Sequence, residues 1–320
     1  MQQVRAVVSA ELDAVNAVII EQLRSDVDMV ENVGQYIVDA GGKRLRPVLV
    51  LLSSSALGAI SPLQIQFAAV VEFIHTATLL HDDVVDVSEL RRGRPTANSA
   101  FGNAPSVLVG DFLYTRAFQL MVALGNHDVL KMMADTTNTI AAGEVLQLIR
   151  AGDATTSEAQ YYDVIDRKTA ALFAAGCEGA ALLAGASATQ VEQLRICGRN
   201  IGVAFQLIDD LLDYEGDPEL TGKNVGDDLA EGKPTLPLIH VMREGSEAQI
   251  KLVRDAINAK ERGRLPQIIQ AVRDCGSLDY TRKAALDCRD KALAALTHLP
   301  PSPARDALGR LAELSIERDY

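Results

Sequence analysis

The chain has 320 residues, of which 48% are hydrophobic but only 4% aromatic, with no Trp. That length can bury a sizeable core with room for an internal cavity, and a formal charge of −12 at pH 7 argues against general nucleic-acid binding. The four cysteines, Cys177, Cys197, Cys275 and Cys288, form no C-x-x-C pair, so neither a disulfide framework nor a zinc site is indicated, and a reducing cytoplasm fits.

The first residues carry Arg5, Glu11 and Asp13 and lack the apolar run of a secretion signal, so export is not expected. Apolar residues then recur at helical spacing almost throughout, with breaks at Gly41-Gly42, Gly58 to Pro62, Gly93 to Pro95, Gly102 to Pro105, Gly152, Gly216 to Pro218, Gly232 to Pro234 and Pro300 to Pro303. About ten to thirteen helices fit between them, and no period-two alternation calls for strands. The chain is expected to be all-α, and with no low-complexity linker a single domain over 1-320 is expected.

In chain order, the first chemical signal is Gly41-Gly42-Lys43-Arg44-Leu45-Arg46-Pro47, where the glycines end one helix and Pro47 opens the next beside two basic groups. A long apolar helical run follows and ends in Asp82-Asp83-Val84-Val85-Asp86. Five residues later comes Arg91-Arg92-Gly93-Arg94-Pro95-Thr96, whose guanidinium groups suit the bidentate grip of phosphate. Lys168-Thr169 precedes a weakly apolar stretch, Thr169 to Gln190, that contains Glu178 and several Gly and is expected to be a buried helix rather than a membrane span.

A second apolar run ends in Asp209-Asp210-Leu211-Leu212-Asp213, which repeats the D-D-x-x-D spacing. Two further basic loops follow, Gly222-Lys223-Asn224 and Glu231-Gly232-Lys233-Pro234. On a helix the three acids of each motif lie at about 0°, 100° and 40°, so they share one face. Three like charges within one turn disfavour the helix unless cations bind between them. Hard oxygen donors suit Mg²⁺, which uses one or two carboxylates per ion and completes its shell with water and substrate phosphate oxygens. A lone motif of this kind is also what a solvated acidic helix end looks like; two copies, each behind a buried run, point instead to a diphosphate held by cations.

The segments GGKRLRP, HTATLLHDDVVDVSELRRGRPTAN, GDFLYTRAF, KTAALF, and FQLIDDLLDY with GKNVGDDLAEGKPTLPL resemble the ordered signature of bacterial long-chain trans-polyprenyl diphosphate synthases. The resemblance runs from about residue 5 to the C-terminus and departs chiefly in Glu317-Arg318-Asp319-Tyr320. It implies a single-domain orthogonal helical bundle of the isoprenoid synthase type, with a central elongation cavity and Mg²⁺ as cofactor. It also implies isopentenyl diphosphate and an allylic diphosphate such as farnesyl diphosphate as substrates, a product of about eight or nine isoprene units (C40 to C45) for a quinone side chain, a homodimer, and no stable membrane insertion.

By the same resemblance, Asp82 and Asp86 match the magnesium ligands of the first motif, with Asp83 in support, and Asp209, with Asp210 and Asp213, those of the second. Lys43, Arg46, His75 and Arg92 match the isopentenyl diphosphate site. Arg91, Lys168, Thr169 and Gln206 match contacts to the allylic diphosphate, with Lys223 and Lys233 as additions. The helical wheel agrees for two of these: His75 lies about 20° from Asp82, and Gln206 about 60° from Asp209. His81 is expected to cap or pack. Ala77 and Thr78 match positions that set product length, and Phe118 or Met121 are candidates for the tunnel floor.

Other readings share part of this pattern. A His-Asp phosphohydrolase would use His75 and His81-Asp82 but leaves the second motif unexplained, and a class I terpene cyclase lacks a match for it. A shorter-chain synthase and a non-catalytic subunit of a heteromeric synthase also remain, although such a subunit is expected to lose carboxylates that this chain retains.

Overall fold

The Ser61 side chain accepts the backbone N–H of Leu63, and the Gln64 side chain accepts the Ser61 N–H at 2.8 Å, a capping box with Pro62 in the first helical turn. Local rules of this kind begin several of the helices in the computed structural model, which describes residues 1–58, 60–91, 93–215, 226–260 and 262–317. Ser157 with Gln160 and Ser246 with Gln249 repeat the device.

The helices in order are α1 (Gln2–Ala6), α2 (Ser9–Gln22), α3 (Asp28–Asp39), α4 (Leu45–Ala56), α5 (Pro62–Val85), α6 (Ala97–Phe101), α7 (Asn103–Ala123) and α8 (His127–Arg150). Then come α9 (Glu158–Ile165), a π-helical turn (Asp166–Ala170), α10 (Ala171–Leu183), α11 (Ala188–Glu215), α12 (Asp227–Ala230) and α13 (Leu236–Glu244). The last are α14 (Glu247–Ala259), a 3₁₀ turn (Arg262–Arg264), α15 (Leu265–Asp274), α16 (Ser277–Leu296) and α17 (Pro303–Leu314). The all-α expectation holds with one small addition, a two-residue antiparallel ladder that pairs Leu90 with Pro95 and Arg91 with Arg94. The ladder is two residues long on each side, so no hydrophobic alternation is needed to form it.

The chain forms two compact units, both built from interleaved stretches rather than consecutive halves. One contains 1–137, 172–198 and 293–311; the other contains 138–171, 199–292 and 312–320. In the first, α4 and α5 are the core: Val48 through Leu52 and Phe67 through Val71 are inaccessible to solvent. A helix that is apolar on all sides has to be enclosed, and each such large side chain contributes about 1.5–3 kcal/mol by leaving water. α10 approaches α5 so closely that a Cβ on Gly179 would lie 2.2 Å from the Phe67 ring, so only Gly fits there. α7 runs antiparallel to α5, with the Ser106 hydroxyl donating to the Leu80 carbonyl at 3.0 Å near one end and the Gln66 amide donating to the Leu120 carbonyl at 2.8 Å near the other.

Among the described residues one helix, α5, is long and apolar enough to cross a membrane, and 67% of its most apolar window is buried. The Thr169 to Gln190 stretch behaves as expected, with most of α10 buried.

In the second unit, α13 lies between two apolar clusters. Leu236 and Ile239 join Tyr161, Ile165, Ala204 and Leu207 in one. Leu238 and Val241 join Tyr214, Val253, Ile257 and Ile268 in the other. The C-terminal half of α11, from Ala204 to Tyr214, thus packs into these clusters where it carries the second acidic motif.

Candidate functional site

In the first unit, Asp82, Asp83 and Asp86 close the C-terminal end of α5, but they do not share one environment. Asp83 is only 1% exposed, and Arg91 grips it side-on through the Nε–Nη2 edge of its guanidinium: Nε donates to Oδ1 at 3.0 Å and to Oδ2 at 3.1 Å, and Nη2 to Oδ1 at 2.6 Å. Asp82 and Asp86 are half-buried. The expected common face therefore resolves into an outward pair four residues apart and an inward anchor. The helical wheel sets Asp83 about 100° from Asp82 but does not say where the edge of the core falls, and that edge lies between them.

The loop after the motif is tied down at several points. The Thr96 hydroxyl donates to the Ser88 carbonyl at 2.7 Å, Asn98 donates to the Asp83 carbonyl at 3.2 Å, Arg94 donates to the Asp39 carbonyl at 2.9 Å, and the Tyr36 hydroxyl donates to the Pro95 carbonyl at 2.7 Å. His81 sits 3.1 Å from the Val107 carbonyl and 3.3 Å from Asp111, so it packs against α7. Arg92 lies outside the described residues.

Also in this unit, Arg44 caps α4 in the left-handed region, with φ at 46°, and its guanidinium bonds Glu72 of α5 at 2.6 Å. Lys43 beside it is exposed, and Arg46 lies over the ring of Phe173 at 4.5 Å. α4 begins at Leu45, so Pro47 is its third residue rather than its first. His75 is half-buried on α5, one turn beyond Glu72.

The chain-length candidates separate. Ala77 is 1% exposed, and Thr78 is half-buried with its hydroxyl on the His75 carbonyl at 2.9 Å. Phe118 lies on an open hollow of about 510 Å³ formed by Tyr114, Thr115, Phe118, Gln119 and Val122, with the Tyr114 and Phe118 rings 5.1 Å apart. Met121 belongs to the core.

In the second unit, Asp209 and Asp213 are half-buried near the end of α11, and Asp210 between them is 3% exposed. The Tyr161 hydroxyl donates to Asp210 Oδ2 at 2.5 Å, and Gln206 Nε2 donates to Oδ1 at 2.7 Å. Gln206 Oε1 in turn accepts the Thr169 hydroxyl at 2.9 Å. Burial and then the charge of Asp228 push the Asp210 carboxyl above the usual carboxylate range, while the two hydrogen bonds pull the other way. Asp213 accepts the backbone N–H groups of Asp227 and Asp228 at 3.1 and 3.2 Å and so fixes the start of α12.

Lys168 and Thr169 sit on the π-helical turn, a distortion that re-aims side chains within a helix. Lys168 Nζ is 2.7 Å from Glu144 of α8. A Cβ on Gly143 would lie 2.7 Å from Arg167 Cβ and 2.9 Å from Lys168 N, so Gly there lets α8 and the π-turn touch. Lys233 pairs with Glu231, with Asp228 4.0 Å away. Lys223 lies outside the described residues, as do Gly222, Asn224 and the tail from Arg318.

Tyr161, Glu144, Gly143, Arg44 and Glu72 were not legible as site residues. Of these only Arg44 carried a local signal, its place between the Gly pair and Pro47.

Among the described residues no three His, Cys, Asp or Glu side chains gather into a site that could hold a metal ion alone. The oxygen-only donors, half-buried and four residues apart in each motif, fit Mg²⁺, whose shell is completed by water and phosphate oxygens.

The family profile described as Polyprenyl synthetase matches residues 27–273. Over 320 residues the chain is 50% identical to the octaprenyl diphosphate synthase of Escherichia coli (strain K12), covering 100% of this chain and 99% of that one. It is 46% identical over 318 residues to the all-trans-nonaprenyl-diphosphate synthase (geranyl-diphosphate specific) of Rhodobacter capsulatus, covering 99% and 98%. The crystal structure of a polyprenyl synthase from Caulobacter crescentus CB15, complexed with calcium and isoprenyl diphosphate, superposes with a TM-score of 0.96 at 42% identity, covering 100% of this chain and 98% of that one.

Proposed function

The chain belongs to the polyprenyl synthetase family, and from that premise we propose that it is a Mg²⁺-dependent long-chain trans-polyprenyl diphosphate synthase, similar to octaprenyl diphosphate synthase. It condenses isopentenyl diphosphate repeatedly onto an allylic diphosphate such as farnesyl diphosphate. Its product has about eight or nine isoprene units and serves as a quinone side chain.

One observation carries this reading: both acidic repeats end a long helix with two half-buried carboxylates, while the middle one is withdrawn and fastened by its own partner. Asp82 and Asp86 would hold Mg²⁺ at the first repeat, and Asp209, with Asp213, at the second. The ion, when bound, neutralises charge on the allylic diphosphate as its carbon–oxygen bond breaks. Lys168 and Thr169 hold and orient the diphosphate that leaves, with Gln206 setting the Thr169 hydroxyl; Arg91, Lys223 and Lys233 are assigned to the same diphosphate as further contacts. Lys43, Arg46, His75 and Arg92 hold isopentenyl diphosphate so that its double bond meets the allylic carbon. The proton lost from the adduct goes to the departing pyrophosphate, and no side chain is assigned as base. Apolar helix faces exclude water during the step.

Residues 1-320 act as one synthase domain in the cytoplasm. The exposed apolar residues Leu108 and Val122 of α7 support pairing with a second copy as a homodimer. The test is incubation of purified protein with labelled isopentenyl diphosphate, farnesyl diphosphate and Mg²⁺. Long prenyl chains after dephosphorylation are expected; their absence, with hydrolysis or cyclised products instead, would sink the reading.

A further inference from the structure

Arg44 lies in the middle of the basic loop yet points its charge inward. It adopts a left-handed backbone conformation that L side chains rarely take, at φ 46°, and its guanidinium reaches Glu72 at 2.6 Å, with the two side chains only 15% and 10% exposed. A strained backbone persists only where surrounding contacts over-determine it, and here the ion pair supplies that contact. Its two ends touch different parts of one site. Lys43 is the preceding residue and Arg46 is two further on, whereas Glu72 sits on α5 three residues before His75, about 60° away around the helix. Arg46 is steadied by the fully buried Phe173 ring at 4.5 Å.

We propose that the Arg44–Glu72 ion pair is the positioning element of the isopentenyl diphosphate site: it clamps the Gly41 to Arg44 loop and the start of α4 onto α5 so that Lys43, Arg46 and His75 address one diphosphate. The inference rests on the functional reading above and concerns residues that touch no substrate in it. Lys43 reaches from the short loop with two glycines that leads into α4, and Arg46 from the first turn of α4 itself; apart from the Arg5 bond to the Gly42 carbonyl at 3.2 Å, two glycines give that loop wide conformational freedom. The clamp supplies the missing rigidity, so that ordering the loop is not left to the moment of binding.

The consequence is selective. Releasing the clamp weakens isopentenyl diphosphate alone, because Lys168, Thr169 and Gln206 belong to a network that does not include Arg44. Arg44→Met retains side-chain length without charge, and Arg44→Lys retains the charge without the fork. Arg44→Gly removes the pair while relaxing the backbone, which separates the ion pair from the strain.

Steady-state kinetics of the full chain with each substrate varied in turn, beside melting temperatures, test this. Arg44→Met and Glu72→Gln are expected to raise KM for isopentenyl diphosphate about tenfold, with KM for farnesyl diphosphate moving less than about twofold. Arg44→Lys is expected to recover part of the loss, and Arg44→Gly to behave as Arg44→Met although its backbone is unstrained. Equal rises in both KM values, or no rise in a folded Arg44→Met protein, would overturn the proposal while leaving the enzyme assignment standing. A wild-type protein that forms no prenyl product would overturn both.

Discussion

The Tyr161 hydroxyl meets Asp210 across 49 residues of chain at 2.5 Å, in a setting from which solvent is almost absent. Removing it leaves a buried carboxyl with one fewer donor. Tyr161→Phe is therefore expected to lower stability by about 1.5–3 kcal/mol. It should also loosen Gln206 and, through it, Thr169, so that KM for the allylic diphosphate rises. Denaturant midpoints and kinetics on the same preparation check both; a variant matching wild type in each would show that Asp210 is held by Gln206 alone.

Gly143→Ala is expected to reduce kcat by about tenfold to a hundredfold. The added methyl meets Arg167 Cβ and the Lys168 backbone rather than a flexible side-chain tip, so the π-turn has to shift. Lys168 moves with it. Full activity in this variant would mean that the turn absorbs the methyl without displacing Lys168.

The outer and middle acids of a repeat should fail in opposite ways. Asp82→Ala and Asp209→Ala are expected to lose about a hundredfold or more in turnover while folding as well as wild type, since each removes charge from a crowded helix end. Asp83→Ala is expected to destabilise by about 1–3 kcal/mol, because Arg91 then loses a buried partner but can still reach water. Product assays with labelled isopentenyl diphosphate and urea titrations distinguish the two patterns. Chelation of divalent ions should reproduce the first and not the second.

This division was the part of the site that the chain did not announce. The acidic repeats, the basic loops and the Ser-x-x-Gln helix starts are local patterns, and each could be read along the sequence. Which carboxylate turns inward is decided by Arg91 eight residues on in one repeat and by Tyr161 on a separate helix in the other, and no spacing rule connects them. The π-turn at Lys168 was hidden in the same way: it lies against Gly143 of α8, a contact between elements that no local pattern announces. Apolar periodicity identified α5 as buried yet could not show that it, rather than Thr169 to Gln190, is the most membrane-like helix.

Ala77→Tyr is expected to shift products toward about fifteen to twenty carbons with the first condensations retained. Ala77 is enclosed on α5, and the antiparallel register with α7 puts Phe118 level with about residue 68, some 14 Å further from the acidic end. A ring at residue 77 would stop a growing chain well short of that level. The buried site also makes the substitution cost about 1–3 kcal/mol. Chromatography of dephosphorylated products decides; an unchanged long-chain profile from an active variant would show that the tail passes elsewhere.

His240 predicts a pH effect on the fold rather than on the chemistry. Its ring stacks on Tyr280 at 4.3 Å, and Nδ1 lies 3.0 Å from Ser277 Oγ and 3.8 Å from Cys275 Sγ. Burial first, and Arg243 second, hold its pKa below the usual histidine value, against the opposing pull of Glu244 and Glu158. The unfolded chain takes up this proton before the folded one does, so stability is lost as pH falls below about 6.5 and is unaffected above it. Denaturant midpoints between about pH 7.5 and 5 should show that slope in wild type and lose it in His240→Gln.

α5 emerges from the ribosome before its antiparallel cover. At about 5–20 residues per second, the 38 residues from Asp86 to Ala123 take roughly two to eight seconds to synthesise, and for that interval an apolar helix of 24 residues has only earlier segments to lie against. The helix that carries the first acidic motif thus waits for its cover during synthesis, and growth temperature or chaperone supply will govern how much of the newly made chain survives the wait.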